Sequence, residues 1–575
     1  MKFFHLYREE YFEGLVKNNL INEDTGFKIM NIFRMPDRGH FDNIAKVGGQ
    51  LHSIIKDGNY PFYIDRIAGG CTYYHYTYDK SLIREYADML GDWFLGFQHH
   101  ESASNRIDAD WARILSAMNG EKGPYDVKRL GDALRNESIK TLSGEVLYNL
   151  SQGFPKDYAD LTYPENYKDQ LADYVKMYKA RMDDCDGFLL PCDSFFLLTK
   201  LHDEMGMRSF MPEVGWQIPL MRIEIALARG IAEGVGKLWG TYYEPWFFNE
   251  EKEFSVPRYN EDVDNDFYHN KDTKVYAMLK STPNHGSSRL LQERIYYYSL
   301  MSGADYMSEE WGMNTSYYDK SERFELSPYG RVKKEFIEFA REFKTVKAHV
   351  PFAIVLPLSY KCVEIYSIEK GQKKVRGEYM ARKLPEWETN YFGHIEDTLD
   401  FIFERNEKSY GNEGHVMTNS RFGDLFDIIY EDASDEVFSK YDALIDTTPD
   451  SAITNALGGK YRVFESTDFN KLELDVNALA KEILPVTVDF LHWLISKDKE
   501  GRRFLTIFNN EGNYRSNLKG DSIIREADRA VTLSFKESTA LKVIKTGSYD
   551  VEIEKLDDKT YRVMVPATRF VIFEF

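Results

Sequence analysis

The feature that most constrains this chain is a rhythm. From the first residues to about position 347, short apolar runs alternate with amphipathic helical patterns. FFHLY (3–7) precedes EEYFEGLVKNNLI, FKIMNIFRM (27–35) precedes FDNIAKVGGQLHSIIKDG, and PFYIDRIAGG (61–70) precedes SLIREYADMLGD. WFLGFQHHES (93–102), GFLLPCDS (187–194), SFMPEVGWQ (209–217), KLWGTYYEPW (237–246) and ADYMSEEWGMN (304–314) each lead toward a further helical stretch. Continuous apolar strands covered by amphipathic helices imply a parallel sheet buried on both faces, and eight such units imply a closed (β/α)8 TIM barrel of the α/β class. FFHLY sets the register: if it is not a strand, every later strand number falls by one.

Beyond residue 348 the pattern restarts with PFAIVLPLSY, DTLDFIFERN, FDIIYEDAS and KYDALIDTT, a smaller set of strands and helices. From about 486 the helices vanish, and runs such as RRFLTIFNNEG, AVTLSFKES and TRFVIFEF alternate with turn residues. The expected organisation is a catalytic barrel over 1–347, a small flavodoxin-like α/β layer domain over 348–485, and an antiparallel β-sandwich over 486–575.

Charge narrows the partners. With 73 basic against 93 acidic residues the chain carries −20, the wrong balance for neutralising phosphates, so neither nucleic acid nor an anionic membrane is expected. No apolar run of about 18 residues occurs, and charges from position 8 break the first twenty residues, so no span or signal core is read. The four cysteines (Cys71, Cys185, Cys192, Cys362) lack CxxC or CxxH spacing, which fits a reducing compartment. A cytoplasmic protein is expected, or a secreted one whose signal peptide has been removed.

In a barrel of this kind reactive groups lie at the carboxyl ends of the strands. Those ends carry Gln98-His99-His100-Glu101, Asp193, Glu213, Glu244 and Glu309-Glu310-Trp311, with Asp65 and Arg66 on the third unit. Carboxylates from several strands at one mouth suit glycosidic cleavage, in which one carboxyl protonates the leaving oxygen and another attacks the anomeric carbon or activates water. Aromatic neighbours desolvate a carboxyl and offer a platform for a sugar ring. Glu309 and Glu310 cannot both face inward on an extended strand.

The stretches SGADYMSEEWG (302–312), SPYGRVKKEFIEF (327–339), PFAIVLP (351–357) and KYDALIDTT (440–448), with the three-part layout, resemble β-galactosidases of glycoside hydrolase family 42 and their relatives in clan A. That resemblance implies an acid/base at the end of the fourth strand and a nucleophile at the end of the seventh, here Glu101 and Glu244. Where the clan has an Asn before its acid/base, this chain has His100. Glu213 and Glu310 form the alternative pair. The resemblance also hints at a homo-oligomer.

Arg66, His99, His100, Asp193, Trp216, Tyr243, Trp246, Trp311 and Asn314 are the candidate substrate-binding residues, and a carbohydrate is the expected partner. No cofactor and no metal is assigned. Asp262-Val-Asp264-Asn-Asp266 lacks the glycine and glutamate of a calcium loop. Two other readings stand beside the glycosidase: a carbohydrate-binding barrel without catalysis, and a metal-assisted hydrolase using His99 and Glu101.

Overall fold

The computed structural model describes residues 1–30, 41–67, 77–100, 175, 178–179, 181–193, 198–216, 221–248, 254–257, 280–282, 285–310, 324–361, 364–365, 375–376, 386–404, 411–516 and 518–575. Eight strands close a barrel: β1 (Lys2–Leu6), β2 (Thr25–Met30), β3 (Phe62–Asp65), β4 (Phe94–His100), β5 (Leu189–Asp193), β6 (Ser209–Gly215), β7 (Leu238–Glu244) and β8 (Tyr306–Glu309). Every neighbouring pair is parallel. FFHLY is the first strand, since β1 pairs with β2 through Phe3↔Thr25 and with β8 through Lys2↔Tyr306. Its place fixes Glu244 as the last residue of the seventh strand.

Side chains alternate across a strand, so one inward residue per strand sets the direction of the rest. Phe4, Tyr63, Leu95, Leu190, Cys192, Met211, Tyr242 and Tyr306 form a separate interior cluster drawn from seven strands. Lys28 of β2 joins them, its Nζ 4.9 Å from the centre of the Tyr242 ring. Gly240 makes room for one of these rings, because a Cβ there would lie 2.2 Å from Tyr306 Cδ2. At β4 the alternation breaks: Phe62↔Phe94 is followed by Tyr63↔Gly96, a β-bulge that skips Leu95. Gly96 takes φ +91° there, and a Cβ would lie 2.2 Å from the carbonyl oxygen of Phe188.

Three of the barrel's helices begin where the sequence supplies a capping side chain. Asp79 accepts from Ser81 N and Leu82 N at the start of Lys80–Leu90, Ser288 from Leu291 N at Arg289–Met301, and Ser327 from Gly330 N ahead of Pro328–Phe343. Each such cap contributes about 1 kcal/mol. After the barrel, Phe352–Leu356, Phe426–Tyr430, Ala443–Asp446 and Val463–Glu465 form a parallel four-stranded sheet. Two antiparallel sheets of five and four strands lie toward the C-terminus. The five-stranded one takes in Lys347–Ala348 as an edge strand against His492–Lys497. A buried cluster joins two barrel helices to the parallel sheet and the residues just before its second strand: Arg229 Nε of Met221–Val235 lies 2.6 Å from Asp427 Oδ1, and Tyr298 Oη of Arg289–Met301 donates to Asp424 Oδ2 at 3.1 Å. No helix among the described residues is long and apolar enough to cross a membrane.

Candidate active site

Polar residues replace the apolar filling toward the carboxyl ends of the strands. Lys28 Nζ donates to Asp65 Oδ2 and to the carbonyl of Glu309, and Tyr242 Oη donates to Asp65 Oδ2 at 3.0 Å. Burial pushes the Asp65 carboxyl up, but Lys28 and Arg66 more than offset this and hold it below the ordinary range. Burial, with Asp65 and Glu310, drives the Tyr242 phenol well above its usual value. Tyr242 is therefore a fixed neutral donor.

Arg66 follows β3 in the left-handed region at φ +66°, a conformation a non-glycine residue adopts at a cost. Its backbone N–H donates to Gln98 Oε1 at 3.2 Å, and its Nη2 donates to Glu310 Oε1. The other oxygen of Glu310 accepts from the Trp246 indole N–H. His100 Nε2 lies 3.6 Å from Glu310 Oε1 and 3.8 Å from Glu213 Oε1. Glu213 and Glu244 are wholly buried and Glu310 is nearly so. Gly215 leaves the space Glu244 fills, since a Cβ there would lie 2.2 Å from Glu244 Cγ.

One cluster thus gathers Arg66, His100, Glu213, Trp246 and Glu310 from five separate parts of the chain. His100, Glu213 and Glu310 bring one ligand atom each within 4.8 Å of one another, a donor set a divalent cation can use. The Arg66 guanidinium on Glu310 works against that use, because it places a positive charge on the same carboxylate.

Other candidates point elsewhere. The bulge at Leu95–Gly96 turns Gln98 and His100 inward, where Gln98 Nε2 reaches Met211 Sδ at 3.6 Å and His100 meets the Tyr242 ring at 5.5 Å. His99 lies on the opposite side of the strand, its ring against Tyr178 with centres 4.9 Å apart. Tyr243 also faces out, its Oη 2.8 Å from Ser287 Oγ and its ring against Tyr296. Glu309 turns outward to Lys333 of helix Pro328–Phe343 and leaves Glu310 to the mouth. Trp216 donates to the carbonyl of Asn412 at 2.9 Å and packs on Phe247, fastening the barrel rim to residues past the parallel sheet's first strand.

Asp193 closes β5 by its backbone, but its side chain lies outside the described residues, as do Glu101, Trp311, Asn314, Cys71, Cys362 and the 262–266 run. Lys28, Tyr63 and Tyr242 belong to the polar interior without having been singled out from sequence, and Gln98, named at its strand end, joins them. The signal was present in Lys28, a lone charge inside the apolar run FKIMNIF.

No family model and no curated protein matches the chain. Solved structures similar to it include alpha-L-fucosidase isoenzyme 2 from Paenibacillus thiaminolyticus, with TM-score 0.46 and 10% identity over 99% of this chain and 96% of that one. An alpha-amylase from H. orenii gives TM-score 0.32 and 8% identity over 100% and 99% of the two chains. Likeness at this level says nothing of substrate or of residues.

Proposed function

We propose that the chain is a glycoside hydrolase whose two working carboxyls are Glu213 and Glu310. The observation that carries this reading is their proximity, with oxygens within 4.8 Å of each other at the carboxyl ends of barrel strands. Carboxyls about 5–5.5 Å apart serve retaining glycosidases, whereas inverting ones need about 6.5–9.5 Å to admit a water. The close approach of one oxygen from each group supports the shorter class, and this reading takes retention as the expected stereochemistry.

The roles follow from the contacts. Arg66 and Trp246 each donate to a different oxygen of Glu310, an arrangement that suits an ionised carboxylate. Glu310 is assigned as nucleophile. Glu213, which faces it across His100, is assigned as the proton donor to the leaving oxygen and then as the base for water. Trp246 has the further task of presenting a ring edge beside the anomeric centre. Glu244, buried beside Gly215, is the rival nucleophile from the clan resemblance, with Glu101 as its partner.

The test is a panel of aryl glycosides hydrolysed by wild type and by single Glu→Gln variants at 101, 213, 244 and 310. Variants at 213 and 310 should lose at least about 10³-fold in kcat, since each supplies a reacting group. Full turnover by both would remove this pair from the chemistry.

A second reading has one observation in its favour, the His100, Glu213 and Glu310 donor set. A metal-assisted hydrolase built on it would lose activity on dialysis against a chelator and regain it with added cation. The two-carboxylate enzyme keeps its activity through the same treatment.

A further inference from the structure

A second feature lies at the other end of the barrel. A groove of about 870 Å³ opens where the five-stranded sheet meets the strand end at Phe535 and the close of helix Phe469–Ile483. Its position is fixed by Lys347, which donates to the carbonyl of Gly303 at 2.7 Å and pairs with Asp305, just ahead of β8. That is the amino end of the barrel strands, away from Glu213 and Glu310.

The register of the sheet creates the feature. Lys347 lies directly opposite Lys497, and Lys497 directly opposite Arg503, so three neighbouring strands carry three cations in one row. Directly opposed residues stand about 4.5–5.5 Å apart at Cβ, and like charges in that relation are destabilising. Lys347 is offset by Asp305, but Lys497, Lys499 and Arg503 have no ion pair among the described residues. Lys536 adds a further ammonium from the facing strand end. Of the two acidic side chains in the lining, Asp498 is committed to Arg502, with Nε 2.6 Å from Oδ2, and Glu537 alone stands against Lys497, Lys499, Arg503 and Lys536. The His349 imidazole is held below its ordinary value, by burial first and then by Arg503 and Lys497, against the pull of Asp442. A chain of net charge −20 has thus kept an excess of cations at one groove and accepted the repulsion between them. The floor between the charges is apolar, with Ile495 and Phe535.

We propose that this groove is a binding site for an anionic saccharide, a sulfated or carboxylated sugar of about disaccharide size. The row of Lys497 and Arg503 holds the acidic substituents, and the apolar floor takes the CH face of the ring. The site is separate from the barrel mouth and stands whether or not the glycosidase reading does.

The experiment uses the full chain and titration calorimetry with three probes: sucrose octasulfate, sucrose and inorganic pyrophosphate. Wild type should bind one sucrose octasulfate per chain, with no heat from sucrose and at least tenfold weaker binding of pyrophosphate. Lys497→Ala and Arg503→Ala should each weaken the octasulfate at least tenfold, and raised salt should weaken it in wild type. Glu310→Gln should bind it as wild type does, which separates this result from any failure at the barrel mouth. Thermal midpoints of Lys497→Ala and Arg503→Ala should stand at or above wild type, because a like-charge contact has been removed. The proposal is overturned by absence of octasulfate binding, by affinity unchanged in both variants, or by pyrophosphate binding as tightly as the sulfated sugar. It is also overturned if both variants melt several degrees below wild type, for the cations would then serve the sheet itself.

Discussion

Arg66 carries the most consequence for a single residue. It sits at φ +66°, and it donates to Glu310 from a nearly buried position. Its strain is worth keeping only if the guanidinium must reach that oxygen. Arg66→Met should lower kcat by about 10²–10³, comparable to loss of one preorganised electrostatic partner. Steady-state kinetics on the best glycoside, with circular dichroism to check folding, measures this; unchanged kcat in a folded variant would leave Arg66 a structural role alone. At this scale the sequence was only partly legible. Glu213, Glu244 and Glu310 stood out as strand-end carboxylates, and alternation allowed only one of Glu309 and Glu310 to face inward without saying which. His99 and His100 were not separable, because a single bulge at Leu95–Gly96 reverses the parity of everything after it. Nothing but Gly96 in the sequence marked that bulge, and a lone glycine in a strand has several other readings.

Elements are held in place by buried polar groups whose titration sets how the fold responds to acid. His5 of β1 lies 3.2 Å from the carbonyl of Leu20, and His202 lies 3.2 Å from Tyr178 Oη. Burial lowers both imidazoles from 6.5 to about 3, with Lys333 adding to the effect at His5. Both are neutral in the folded chain, whereas the unfolded chain takes up their protons below 6.5. Stability from these histidines is therefore complete above pH 6.5 and is lost progressively as pH falls toward 3. Each should contribute a slope approaching 1.4 kcal/mol per pH unit, to about that order. His202→Phe should flatten the fall in urea midpoint between pH 6 and pH 4; an unchanged slope would contradict the assignment.

The helix Arg289–Met301 offers a second case. Glu413 accepts from Ser288 N at 2.7 Å and from Asn513 Nδ2 at 2.7 Å, joining the helix start to the C-terminal region. Glu413→Ala leaves those buried donors unmet and should cost about 2–3 kcal/mol, seen as a lower thermal midpoint. Strands and helices themselves were readable because their apolar period and caps are local. Glu413 was not, since its partners lie 125 and 100 positions away in the chain.

At the scale of the whole molecule, the barrel was legible from eight repeats, and the one uncertain strand, FFHLY, took its place through pairing with both β2 and β8. What repeats do not reveal is which strand-end groups meet. Arg66, His100, Glu213 and Glu310 converge only after closure of the sheet has set eight directions at once. Family resemblance pointed to the fourth and seventh strands, while the proposed pair, Glu213 and Glu310, rests on proximity at the ends of the sixth and eighth. These alternatives differ in where a sugar would become attached.

The most direct measurement is therefore the site of covalent labelling. A 2-fluoroglycosyl fluoride of the sugar that gives best turnover is incubated with wild type, and the adduct is mapped by peptide mass spectrometry. The account predicts a single glycosyl group on Glu310, inverted at its anomeric carbon, and net retention of configuration in the product of natural hydrolysis. A label on Glu244, or no label together with an inverted product, would contradict it.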